Sequence, residues 1–169
     1  MNERFQWTIR ILDIQPADRV LEIGCGTGIL AEMIAAQLDS GHLTALDQSA
    51  AMINKARVRM EASIQSGKAV CLLSNLLEAP LTKSGFDKVL AFNVRAFWKN
   101  QSPELEVVRS VLKPEGWFFL FHQPPTETTR QVCDRASEVL LQNRFRIQRI
   151  IIQKMKPASA FCLIAQPDS

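Results

Sequence analysis

Short apolar runs recur along the chain, each ending in a polar or glycine-rich tip and most leading into a stretch of helical periodicity. Arg19-Val20-Leu21-Glu22-Ile23, Leu43-Thr44-Ala45-Leu46-Asp47, Val70-Cys71-Leu72-Leu73, Phe86-Asp87-Lys88-Val89-Leu90-Ala91-Phe92-Asn93 and Trp117 to Phe121 read as strands. Their near-continuous apolar character suits a parallel sheet buried on both faces. Helices are predicted from Asn2 to Ile14 against the sheet edge, Ile29 to Leu38, Ala50 to Glu61, Ser102 through Leu112, and Thr126 to about Leu141. Ser49 and Ser102 are placed as N-caps, with Pro103 at the first helical position. Phe145 to Met155 and Ala160 to Ala165 read as two final strands, and the four residues Lys156-Pro157-Ala158-Ser159 between them force antiparallel pairing. The alternation predicts an α/β fold: a doubly wound, mostly parallel, seven-stranded sheet with a C-terminal antiparallel hairpin.

The stretch from Arg19 to Gly28 carries the first chemical signal. A strand runs into three alternating glycines and then directly into a helix. Glycines allow backbone angles closed to other residues and let a ligand lie against the main chain. A strand tip, a glycine turn and a helix N-terminus together form a ligand cradle at the carboxyl end of the sheet. Asp47 closes the second strand, nineteen positions beyond Gly28. An acid at that offset in a βαβ unit accepts hydrogen bonds from ribose hydroxyls.

Composition narrows the class. The chain has 169 residues, a formal net charge of +3 and 47% hydrophobic residues. One globular domain over residues 1–169 is expected, without a disordered region. No apolar run approaches the ~20 residues that span a bilayer, so no membrane partner is expected. Met1 to Trp7 lacks the apolar core of a signal peptide, which predicts a cytoplasmic protein. Cys25, Cys71, Cys133 and Cys162 are scattered, and with only His42 and His122 no metal site is expected.

Taken together, these motifs resemble those of the class I S-adenosylmethionine-dependent methyltransferases. Glu22-x-Gly24-x-Gly26-x-Gly28 matches the family's first motif, and Asp47-Gln48-Ser49-Ala50-Ala51-Met52 followed by a basic helix resembles the second. Phe86-Asp87 opens the fourth strand as in the family. Arg109-Ser110-Val111-Leu112-Lys113-Pro114-Glu115-Gly116 resembles its Leu-Lys-Pro block, with Glu115 in place of a glycine. The final hairpin also belongs to that variant of the doubly wound fold, and the resemblance runs from about Ala17 to Gln166. It implies S-adenosylmethionine as cofactor, with Gly24, Cys25, Gly26 and Gly28 in the binding loop. Glu22 would face the cofactor's ammonium directly or through water and Asp47 would bind its ribose hydroxyls, while Gln48, Met52 and Asn75 would border the adenine and Leu76 would also contact the cofactor. Asn93, at the tip of strand four, would lie beside the cofactor. Asn75 stands where the family usually has an acid, and an amide oxygen still accepts a hydrogen bond there. Glu78 is a rival for that contact but is expected to point to solvent.

The resemblance further implies in-line methyl transfer to a small organic acceptor. Arg95, just past strand four, and His122, at the tip of strand five, are the catalytic candidates. Asn93 is followed by Val94-Arg95-Ala96 rather than by the Pro-Pro-aromatic of DNA amino methyltransferases. The thiol of cytosine C5 enzymes and the acid cluster of metal-dependent catechol enzymes have no counterpart. Three alternatives stay open. A nicotinamide (NAD-type) oxidoreductase is allowed by Gly26-Thr27-Gly28-Ile29-Leu30-Ala31, which satisfies G-x-G-x-x-A. An RNA methyltransferase, with nucleic acid as partner, is suggested by Arg144, Arg146, Arg149, Lys154 and Lys156 around the final hairpin. The third is a cofactor-binding protein without catalysis. The acceptor atom and the oligomeric state stay open.

Overall fold

The computed structural model describes residues 3–98, 101–126 and 128–168. Its seven strands are β1 (Arg19–Ile23), β2 (His42–Asp47), β3 (Ala69–Leu73), β4 (Phe86–Phe92), β5 (Leu112–His122), β6 (Phe145–Gln153) and β7 (Ala160–Pro167). They form one sheet in the order β3-β2-β1-β4-β5-β7-β6. The pairs from β3 to β5 are parallel, whereas β7 runs antiparallel to both β5 and β6. The order reverses between β1 and β4, so a crevice opens beyond the carboxyl tips at that point. The antiparallel β7 also separates this sheet from the nicotinamide-type arrangement, which ends in a parallel sixth strand.

Six helices, α1 (Glu3–Leu12), α2 (Ile29–Ala35), α3 (Ala50–Arg59), α4 (Glu61–Gln65), α5 (Pro103–Val111) and α6 (Thr129–Gln142), cover the sheet. Pleat alternation feeds two cores. Val20, Leu43, Ala45 and Leu90 pack with residues of α1, α2 and α3 on one face. Leu21, Leu46, Val89 and Ala91 pack with α5 and α6 on the other. Two caps fall where the sequence places them: Ser49 Oγ accepts from Met52 N, and Ser102 Oγ from Leu105 N at 3.2 Å.

α2 and β6 end earlier than expected, at Ala35 and Gln153, and four further elements differ from expectation. α1 does not lie at the sheet edge. Phe5 meets Phe92 of β4 at 5.9 Å between ring centroids, and Trp7 meets Phe121 of β5 at 5.5 Å, so the helix covers central strands. Its apolar face seals the part of the sheet that α2 and α3 leave open. Lys88 pins the connection behind it, donating to Asp13 O and Asp18 Oδ2. Asn2, expected to begin this helix, lies outside the described residues. The single helix expected over residues 50–61 divides at Met60, which is 1% exposed and anchored beside Cys71. β5 starts earlier than Trp117: Leu112 pairs with Phe86 and Trp117 with Lys88, so residues 113–116 bulge between two paired segments. Finally, α6 begins at Thr129 rather than Thr126, with Thr129 Oγ1 donating to Ser159 O; Glu127 lies outside the described residues.

Candidate functional site

The first two strand tips are tied together through main chain. Gly24 N and Cys25 N both donate to Leu46 O, at 2.7 and 2.9 Å. Gly24, Gly26 and Gly28 all take left-handed φ values of 73°, 55° and 79°. Asp47 completes the junction: Oδ2 accepts from Gly26 N and Oδ1 from Ser49 N, each at 2.9 Å. One carboxylate thus holds both the glycine loop and the start of α3. Each of its oxygens keeps a second lone-pair direction for a ligand.

A cleft of about 650 Å³ lies over these tips. Gly24, Asp47, Gln48, Asn75, Leu76, Asn93 and Arg95 line it, so the structure brings these predicted residues together. Ile23, Leu46, Leu77, Phe92 and Val94 add apolar wall. Asn93 occupies the left-handed region, with φ 56°, and its Oδ1 accepts from Gln123 N at 2.8 Å. Asn75 Oδ1 already accepts from Glu78 N at 3.0 Å, so its amide oxygen closes a local turn and has one lone pair left. Glu78 is exposed, as expected, yet it lines the cleft beside Asn75.

Other predicted residues sit elsewhere. Glu22 is buried behind the glycine loop, 3% exposed, and its Oε2 has no hydrogen-bond partner. Burial, reinforced by the charge of Asp47, pushes its pKa up to about 8. Gly28 is a packing residue in this geometry: a Cβ there would lie 3.0 Å from both Cα and Cβ of Ala56, whereas one on Gly26 would meet nothing within 4 Å. Cys25 is 6% exposed, and burial raises its thiol pKa, so it is neither a cleft wall nor a nucleophile. Met52 lies off the cleft, its backbone N–H engaged by Ser49.

His122 lines a second cavity of about 350 Å³, together with Arg4, Asn93, Arg95, Gln123, Pro124, Pro125 and Pro157. Asn93 and Arg95 border both spaces, so the second opens beside the first. His122 Nδ1 is buried without a partner, and burial lowers the ring's pKa, which keeps the imidazole neutral at pH 7. Gln123 fixes the floor, its Nε2 donating to Lys156 O and Ala158 O at 3.0 and 2.9 Å. Arg4 and Gln123 were not legible as site residues. Arg4 sits in the first turn of a helix whose seat on the sheet no local pattern announces, and Gln123 acts through main-chain atoms of a distant turn.

A family model described as a methyltransferase domain matches residues 21–118. The uncharacterized methyltransferase YdaC of Bacillus subtilis is 32% identical over 120 residues, 70% of this chain and 64% of that protein. The 23S rRNA (uracil(1939)-C(5))-methyltransferase RlmD of Klebsiella pneumoniae is 30% identical over 151 residues, 86% of this chain but 32% of that protein. The chain therefore spans less than two thirds of either relative. A SAM-dependent methyltransferase from Aquifex aeolicus shares the fold, with a TM-score of 0.74 at 18% identity over 95% of this chain and 88% of that one.

Proposed function

Because the chain belongs to the methyltransferase-domain family, whose cofactor is S-adenosylmethionine, we propose that it transfers a methyl group from that cofactor to a small organic acceptor in the cytoplasm. What carries the reading is the unpartnered Oε2 of buried Glu22 behind a glycine loop that Asp47 holds open. A buried carboxyl oxygen without a donor is costly unless a ligand supplies one. The cofactor's ammonium is such a donor, directly or through a bridging water, and its positive charge offsets the burial that holds Glu22 protonated. The remaining groups fit the same molecule. Asp47 has free lone pairs for two ribose hydroxyls, and Gly24 lines the cleft, the room left by its missing Cβ being taken by Val94 Cγ2. Gln48, Asn75, Leu76 and Leu77 offer a mixed polar and apolar wall for a flat base.

When bound, S-adenosylmethionine supplies an electrophilic methyl on a sulfonium, so the protein has only to align and desolvate the acceptor. Asn93 and Arg95 stand between the cofactor cleft and the second cavity, where an acceptor would lie. His122, neutral and inside that cavity, can take the proton that an acceptor hydroxyl or amine gives up.

RNA as acceptor is the second reading, motivated by the relative named as an rRNA uracil methyltransferase and by the exposed Arg144, Arg146, Arg149, Lys154 and Lys156. Those cations belong to β6 and its flanks, at the edge of the sheet beyond β7, and the lining of both cavities includes none of them. All four cysteines are buried, and burial raises the pKa of each, so no thiolate is available to attack a pyrimidine ring. The small acceptor is favoured on these grounds.

Isothermal titration with S-adenosylmethionine and, separately, with NAD tests the cofactor. Saturable binding of the first and none of the second is expected, with Asp47→Ala weakening it by about tenfold or more. Binding of NAD alone would overturn the reading. Release of S-adenosylhomocysteine across an acceptor panel then separates an enzyme from a silent binder.

A further inference from the structure

We propose that the second cavity is an anion-binding acceptor site, in which Arg4 and Arg95 receive a carboxylate or phosphate of the molecule to be methylated. The inference deepens the methyltransferase reading and rests on it for the word acceptor, but the anion site stands on its own geometry.

The lining holds two guanidinium groups, a neutral imidazole and two side-chain amides, and no carboxylate. Among the described residues, no Asp or Glu lies within ion-pair distance of Arg4 or Arg95. Arg4 is held from the other side: its guanidinium sits 4.7 Å from the Phe5 ring centroid and 5.6 Å from that of Phe92. Stacking of this kind orients the planar fork while leaving its edge free for a bidentate partner. Two side chains of this lining each carry a buried polar atom without a hydrogen-bond partner, Arg4 Nε and His122 Nδ1. Arg4 Nε–H is an unpaired donor, so its guanidinium's hydrogen-bonding capacity is unfilled, and a planar oxyanion matches the guanidinium edge. The walls of Pro124, Pro125 and Pro157 are rigid and apolar, which suits the body of a small organic ion. The volume of about 350 Å³ admits such a molecule. Because Asn93 and Arg95 also border the cofactor cleft, an acceptor whose anion sits on Arg4 and Arg95 would lie next to that cleft.

The test is a titration of the full chain with benzoate, phenyl phosphate and benzamide, with and without S-adenosylhomocysteine. Binding is followed by calorimetry and by the side-chain Nε–H resonance of Arg4 in nitrogen-labelled protein. Saturable binding of at least one anion, a shift of the Arg4 resonance, and no saturable binding of benzamide are expected. Benzoate against phenyl phosphate then decides which oxyanion the site takes. Arg4→Gln and Arg95→Gln should each weaken that anion by about tenfold or more, and Arg4→Lys should recover part of the loss. Equal affinity in wild type and both Gln variants, equal binding of benzamide, an unmoved Arg4 resonance, or no anion binding at all would each overturn the proposal. The resonance is read in the wild-type protein, so a variant that fails to fold does not remove the test. Failure of S-adenosylhomocysteine to bind, with the anion still seated on Arg4, would strike the methyltransferase reading and leave the anion site standing.

Discussion

Single atoms at the glycine loop separate folding from binding. Gly26 and Gly28 look equivalent in the sequence, yet the space above them is opposite. Gly28→Ala forces a left-handed alanine against the backbone of Ala56, and a cost of about 2–4 kcal/mol is expected in urea unfolding. Gly26→Ala meets no protein atom, so its cost stays near the ~1–2 kcal/mol of left-handed strain, and a fall in S-adenosylhomocysteine affinity without further loss of stability is the outcome expected of a loop residue that the cofactor covers. Glu22 makes a second prediction. Its folded pKa of about 8 lies above the ordinary 4.5, because burial and then Asp47 disfavour the carboxylate. The folded ligand-free protein therefore binds the proton more tightly than the unfolded chain does. Stability from this group is fully present below about 4.5 and is lost as pH rises toward and through about 8. Glu22→Gln removes that slope, and urea midpoints measured from pH 5 to 9 check it. An ammonium bound beside Glu22 reverses the preference and expels the proton. Calorimetric binding of S-adenosylmethionine at pH 7 should thus depend on the buffer's ionisation enthalpy in wild type and not in Glu22→Gln.

The elements were legible to different degrees, for reasons that follow from range. The β1 tip, Asp47 and the caps at Ser49 and Ser102 are decided within a few residues, and the structure forms the junction of glycine loop and acid that their spacing implies. The final hairpin was equally plain, since a link read as four residues, and spanning 154–159 between β6 and β7 in the structure, cannot carry a parallel crossover. α1 was not. An amphipathic pattern says that a helix has an apolar face and is silent on which surface receives it. Its seat on Phe92 and Phe121 follows from gaps left by other helices, and with it comes Arg4 at the second cavity. Asn75 likewise reads as an adenine contact from its position, but only coordinates reveal its bond to Glu78 N. If α1 exists to seal the sheet and present Arg4, removing its anchor should separate the two cavities functionally. Trp7, 4% exposed, meets Phe121 edge-on. Trp7→Ala is expected to cost about 3–5 kcal/mol of stability, read by thermal unfolding. In protein that remains folded, S-adenosylhomocysteine affinity should hold within about twofold while anion binding at the second cavity falls.

At the scale of the whole molecule, the sheet puts its chemistry at one rim. Four parallel strands, β1 to β4, deliver Gly24, Asp47, Ser74-Asn75 and Asn93 to the same side, because parallel strands have all their carboxyl ends together. β6 sits at the opposite edge from β3, paired only through β7, and exposes Ile150 and Ile152 with its cations. This architecture predicts a pattern of hydrogen exchange rather than a single number. Amides of the central strands β1 and β4 are bonded on both sides and buried, so they should exchange through global opening alone. The amides of the loops past the tips are held by single turn and side-chain bonds, as at Gly24, Gly26 and Ser49, not by strands on both sides, and should exchange by local opening. S-adenosylhomocysteine should slow exchange at 24–28, 48–49, 74–78 and 93–96, which lie far apart in the chain and meet only at the cleft. β6 should change no more than the uniform gain that ligand binding gives to global stability. If the protection instead appeared along β6, the cofactor would be binding away from the carboxyl rim. If it appeared at the first of those loops alone, the glycine turn would be holding a phosphate-like anion rather than a nucleoside that spans four strand tips.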